Sequence, residues 1–329
     1  MPTTERRRSG GGPFRGFLVG VLLLAVVGAI GVAVYRGAGP LPDPEGCSAQ
    51  VAGVEVDLST EQAENAATIA AIGVRRDLPA RAVSIALATA YQESKIRNLD
   101  HGDRDSVGIF QQRPSQGWGT ERQLQNPYYA ANRFYDELVK VDGYERMRIT
   151  EAAQEVQRSG FPEAYDDHAE DARALASALT GYSPDGRFSC VVRHDDADTS
   201  AQDERRNGLT PRANAVRRDL ARAFGDLPLG GFAPGGVSTG HMKGSAHYDG
   251  RALDVFVRPI NEANNRRGWA IAYYLVAHAD RLLIEHVIFD DMIWSADRSE
   301  EGWRDYDPGD GPGRRAVLEH RDHVHVDVA

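Results

Sequence analysis

The chain has little cysteine, no excess of positive charge and no internal repeat across its 329 residues. With only Cys47 and Cys190 present, a single internal disulfide is the most the chain can form. A formal net charge of −10 argues against nucleic acid as the main partner, because phosphate binding needs a basic field. At 41% hydrophobic and 26% charged residues, wholesale disorder is excluded as well. The length allows two ordinary domains, each with its own core.

Residues 16–35 (GFLVGVLLLAVVGAIGVAVY) carry no charge. Twenty residues rising about 1.5 Å each match a hydrocarbon core of about 30 Å. Arg6, Arg7, Arg8 and Arg15 precede the run and Arg36 alone follows it closely. The expectation is a single-pass membrane helix with residues 1–15 as a cytoplasmic tail and the bulk of the chain extracytoplasmic. A cleaved signal peptide is the competing reading. Residues 36–46 are rich in proline and glycine and read as a stalk. In an oxidising compartment Cys47 and Cys190, which bracket one block of sequence, are expected to form a disulfide. Two free buried thiols are the alternative.

From residue 58 to about 180 apolar spacings of three and four, with Ser, Asn and Pro at the starts, predict an all-α domain over 47–190. Residues 191–207 (VVRHDDADTSAQDERRN) lack an apolar period and read as a linker. Residues 208–329 mix two helices with the short strands RALDVFV, EHVIFDD and HVHVDV, an α+β domain with an antiparallel sheet.

The second domain carries a metal-like constellation. A catalytic zinc takes three His, Asp or Glu ligands and leaves one position open. In Ser245-Ala-His-Tyr-Asp-Gly-Arg-Ala-Leu-Asp254, His247 and Asp254 stand seven positions apart, with Gly250 permitting a turn between them. Strand alternation puts His323 and His325 on one face near the end of the chain, so that either or both complete the set. This pattern resembles the zinc peptidases of the D-alanyl-D-alanine carboxypeptidase and dipeptidase group, whose fold the hedgehog signalling domain shares. The resemblance implies one zinc ion held by His247, Asp254 and His325, with Ser245 before the first ligand. It offers two general bases, Asp322 and Glu319, of which Asp322 is preferred. It leaves His323 to stabilise an oxyanion or support the ligands. Trp294 and Trp303 are candidates for a groove wall, with a core role as the alternative.

A second constellation lies in the helical block. Glu93 ends the apolar helical run ATAYQE and is followed by a loop with Ser106-Val-Gly108-Ile109-Phe110-Gln111. Cleaving a glycoside needs a carboxylic acid kept protonated near neutral pH, which a partly apolar cleft provides. Glu-Ser, a loop and Gly-Ile-Phe-Gln together resemble the lytic transglycosylase branch of the lysozyme superfamily. That resemblance implies Glu93 as acid and base, and Gly108, Ile109, Phe110 and Gln111 as the substrate-lining segment. Gln154, Gln157 and Ser159 stand where the family has the rear of its cleft, without the family's Tyr-Asn-x-Gly letters. Asp103 and Asp105 are the candidates for a second carboxylate if the reaction is hydrolysis.

The expected function is therefore a peptidoglycan hydrolase that cuts both glycan strands and peptides. The rival is a wall-binding or assembly protein in which zinc is structural. The expected contacts are peptidoglycan and, through the N-terminal helix, the membrane.

Overall fold

Residues 46–58 build a β-hairpin for a local reason. In β2 (Val54–Leu58) Val54, Val56 and Leu58 alternate with Glu55 and Asp57, giving one apolar and one charged face. The connection to β1 (Gly46–Val51) is the pair Ala52-Gly53, both at positive φ, as a tight hairpin turn requires. β3 (Phe188–Val191) adds to the other side of β1, so the order is β2-β1-β3. Cys47 and Cys190 face each other across β1 and β3 and are disulfide-bonded. The structure, a computed structural model, describes residues 44–195, 197–309 and 313–329.

Between β2 and β3 lie five helices of nine residues or more: α1 (Thr60–Arg75), α2 (Ala80–Ser94), α3 (Pro127–Leu138), α4 (Ile149–Gln157) and α5 (Ala169–Leu179). Their starts follow from sequence. Ser59 and Gln62 form a reciprocal capping box on α1, and Asn126 caps α3 with Pro127 in its first turn. The second half contributes α6 (Pro211–Phe224), α7 (Glu262–Ala277) and a six-stranded antiparallel sheet in the order β4-β5-β9-β6-β7-β8. Its strands are β4 (Leu229–Gly230), β5 (Ala252–Phe256), β6 (Ile284–Phe289), β7 (Met292–Ser295), β8 (Arg304–Asp305) and β9 (His323–Val328).

α1 packs on α2, α3 and α5 and also on α6 and α7, so residues 45–329 share one core and form one compact unit. Hydrogen bonds tie the halves: Trp294 Nε1 donates to Cys190 O at 3.1 Å and Trp303 Nε1 to Phe188 O at 2.9 Å. Trp294 is fully buried and Trp303 packs on Trp269 and Tyr273, so both serve the joint rather than a groove wall.

Two expectations about architecture are corrected. The first half is not all-α, because the hairpin and β3 give it a sheet; the whole is a mixed α/β fold with two antiparallel sheets. The expected span 16–35 lies outside the described residues, with the tail and most of the stalk. Among the described residues no helix is long and apolar enough to cross a membrane. The longest, α1 and α7, have 16 residues, about 24 Å at 1.5 Å each. Glu61 and Glu64 interrupt the one, Arg266 and Arg267 the other. The single-pass fold and membrane localisation are therefore not supported.

Candidate functional site: a His/Asp centre and a half-buried glutamate

β9 lies in the middle of the larger sheet and is buried along its whole length, yet half of it is polar. Val324, Val326 and Val328 face the core, where α7 packs; His323, His325 and Asp327 face the opposite side. The antiparallel register with β5 sets Asp254 directly opposite His325 and Phe256 opposite His323. His247 arrives from a short 3₁₀ turn, Ala246–Asp249, which Ser245 caps by accepting the His247 N–H at 3.4 Å.

The three donor atoms form a nearly equilateral triangle. His247 Nε2 is 3.1 Å from His325 Nδ1 and 3.2 Å from Asp254 Oδ1, and His325 Nδ1 is 3.2 Å from Asp254 Oδ1. Ligands about 2.0–2.1 Å from a tetrahedral zinc lie roughly 3.3–3.4 Å from one another, so this triangle is close to one face of such a site. The outer atoms are also fixed. His247 Nδ1 stands 2.7 Å from the Gly231 carbonyl, which can only accept, so Nδ1 carries the proton and Nε2 is the free donor atom. His325 Nε2 faces Asp327 Oδ2 at 3.2 Å, the carboxylate support usual behind a metal-binding imidazole. The residues present therefore fit a zinc ion.

Without a metal the same groups hold each other by charge. Burial opposes protonation of His325, but Asp254 and Asp327 outweigh it and push its pKa up to about 9. Burial likewise opposes ionisation of Asp254, and His247 and His325 overcome it and hold the carboxyl far below the usual range.

Neither expected base is free. Asp322 Oδ2 takes Arg258 Nε and Nη2 at 2.7 Å, while Oδ1 stands 2.7 Å from His323 Nδ1. Burial works against ionised Asp322, and His323 and Arg258 keep its pKa low. Glu319 is held between Arg315 and Arg321, which lower its pKa. His323, by contrast, turns Nε2 toward Asp254 Oδ1 at 3.9 Å.

Three residues at this centre escape a reading of the sequence alone. Gly231, at φ +78°, lies so close that an added Cβ would meet His247 Cε1 at 2.2 Å and Asp254 Oδ2 at 2.9 Å. Only the Gly230-Gly231 pair hinted at it. His241 stacks on His247 with ring centroids 3.8 Å apart and offers a donor atom within 4.8 Å of those of His247 and Asp254. His320 packs 4.6 Å from His323; burial, then the charges of His323 and His325, push its pKa down to about 3, so it is a neutral wall.

In the helical half, Glu93 sits at the end of α2, partly buried. Tyr165 Oη donates to its Oε1 at 2.7 Å. Burial raises the Glu93 pKa against hydrogen bonds from Tyr165 and Gln157. Gln157 in turn donates to the Phe110 carbonyl at 2.8 Å, and Ser94 Oγ donates to the Ile109 carbonyl at 2.8 Å. The segment 108–111 is thus pinned beside Glu93, but Ile109 and Phe110 are fully buried, Phe110 stacked on Phe134 at 4.6 Å. Their side chains build core; the backbone is what they present. Gln111 braces its own loop through Gly108 O and His101 O. Gly108 has no alternative, since a Cβ there would lie 2.4 Å from Leu124 O. Asp105 is taken up by the Ser115 N–H, Arg113 and the Ser115 hydroxyl, and Asp103 stands in solvent. A groove of about 940 Å³ runs past Trp118, Arg133, Glu137 and Met147 to Gln157.

Residues 205–316 match the family described as VldE, C-terminal domain. The match takes in His247 and Asp254 and ends before His323 and His325. No curated protein matches the chain.

Proposed function

We propose that the chain is a peptidoglycan hydrolase with a zinc-dependent peptide-cleaving centre at His247, Asp254 and His325 and a glycan-cleaving centre at Glu93. The carrying observation is the 3.1–3.2 Å donor triangle on two paired strands and a capped turn. A zinc ion there supplies Lewis acidity, which polarises an amide carbonyl and acidifies water. His323 is the proton carrier. Its Nδ1–H is held by Asp322, which leaves Nε2 as the basic atom beside the ligands. Asp322 and Arg258 are then positioning residues for that imidazole, and Glu319 clamps the turn before β9.

At the other centre Glu93, whose pKa burial raises, delivers a proton to the glycosidic oxygen. Tyr165 and Gln157 aim the carboxyl, and the groove along Trp118 takes the glycan. One carboxylate suffices where the sugar's own hydroxyl attacks; Asp103 and Asp105 stand as loop residues in this reading.

The test is digestion of purified cell walls by the full chain with zinc. New amino groups are expected to vanish in His247→Ala, and new reducing or anhydro-sugar ends in Glu93→Gln. If both variants digest walls as well as the parent, the proposal is wrong. One observation favours a second reading, a structural zinc in a non-catalytic wall-binding protein: His241 stands within reach as a fourth donor, and closed four-ligand sites are structural. In that case His241→Ala lowers zinc affinity, and walls bind the chain without releasing products.

A further inference from the structure

On the strand side away from His247, Asp327 faces a second set of donors. Its Oδ2 supports His325, while Oδ1 stands 2.9 Å from His286 Nδ1. The β6–β9 register pairs His286 with Asp327, and Glu285 is the next residue along β6. One donor atom from each of Glu285, His286 and Asp327 lies within 4.8 Å of the others. Glu285 and His286 line a pocket of about 580 Å³ together with His194, Asp195 and Asp297. His194 Nε2 stands 3.3 Å from the Ala279 carbonyl, so in the neutral ring Nδ1 is the basic atom. The lining holds the carboxylates of Asp195, Glu285 and Asp297 and the imidazoles of His194 and His286, together with Arg193, whose guanidinium donates to Glu300 at 2.7 Å. Arg251 competes, but it holds only one Glu285 oxygen, at 3.2 Å.

We propose that this pocket binds a second divalent cation of the zinc type through Glu285, His286 and Asp327. Mixed imidazole and carboxylate donors favour such an ion over magnesium or calcium, which prefer oxygen alone. Two supports are independent: the three donors converge, and the pocket beside them gathers further carboxylates and an imidazole. Because Asp327 serves both His325 and the second ion, the two sites share one carboxylate.

The experiment is metal content of the full chain after chelator treatment and dialysis against buffered free zinc. Two ions per chain are expected for the parent, one for the Glu285→Gln/His286→Gln double variant, and one for His247→Ala. A double variant that keeps the parent's stoichiometry overturns the second site. So does a parent with one ion that His247→Ala loses and the double variant keeps, which leaves the first centre standing. A parent with one ion that the double variant loses and His247→Ala keeps sustains the second site while the first centre fails. If the metal-free double variant melts below the metal-free parent, Glu285→Gln alone is read in its place.

Discussion

If the His247–Asp254–His325 centre holds zinc as proposed, its loss should lower the melting temperature by a calculable amount. The proposed ligands come from β5, from the middle strand β9 and from the turn before β5, so an unfolded chain has no comparable site. Binding to the folded form alone stabilises it by RT ln(1 + [L]/Kd), about 2.7 kcal/mol at a free concentration of one hundred Kd. The unfolding entropy is roughly 2.1 cal/mol/K per residue, or about 0.6 kcal/mol/K over the roughly 285 residues of Glu45–Ala329. The expected rise is therefore about 4–5 °C. Calorimetry across a series of zinc buffers, in the Glu285→Gln/His286→Gln background so that one centre contributes, measures it. Asp254→Asn and His325→Ala should each flatten the dependence. A melting temperature that does not move with free zinc, or that moves equally in His325→Ala, refutes the triangle as a metal site.

Gly231→Ala should empty the same centre without unfolding the chain, because the new Cβ would push His247 and Asp254 apart; zinc content and circular dichroism read the two effects separately. Tyr165→Phe removes a hydrogen bond that lowers the Glu93 pKa, so the carboxyl should titrate at higher pH, checked by difference infrared titration. His278, fully buried between the halves, has its pKa lowered by burial to about 4; Asp219 opposes this and Arg281 adds to it. The unfolded chain takes up a proton near pH 6.5 that the folded chain refuses until about pH 4, so stability should fall through that window by about 3 kcal/mol. Urea unfolding of the parent and of His278→Gln at pH 7 and pH 4.5 checks this, and the variant should lose most of the acid sensitivity.

Helices were the legible part of the fold, because capping and apolar spacing are local. The run ARAVSIALATAYQES is α2 residue for residue, and Pro211 opens α6 as its position suggests. The small sheet was not legible as part of the helical block. β3 lies well over a hundred residues from β1 and is only four residues long, and its pairing is a tertiary choice. At the candidate centre, alternation alone puts His323 and His325 on one face. What alternation cannot give is the register that sets Asp254 opposite His325, since the two are 71 residues apart. The candidate bases show the same limit. Asp322 and Glu319 look alike in sequence, and only the fold brings Arg258 to one and Arg315 and Arg321 to the other. Tyr165 carries no local signal either, as it reaches Glu93 across 72 positions.

The centre divides into a rigid side and an adjustable side. Asp254, His323 and His325 stand on strands whose other faces, Leu253, Val255, Val324 and Val326, are buried under α6 and α7, so displacing one of them means disturbing the core. Packed interiors resist that, since even one methylene is felt. The Gly231 carbonyl and His241, by contrast, belong to residues 231–245, which form no helix or strand. Both meet the outer His247, one at its Nδ1 and the other on its ring face. Substitutions on the strands should therefore change whether a metal is held. Substitutions in residues 231–245 away from Gly231 should change how open its remaining position is. His241→Ala separates the two roles: a more open site gains activity on peptide substrate at little loss of zinc, whereas a closed structural site loses zinc and gains nothing.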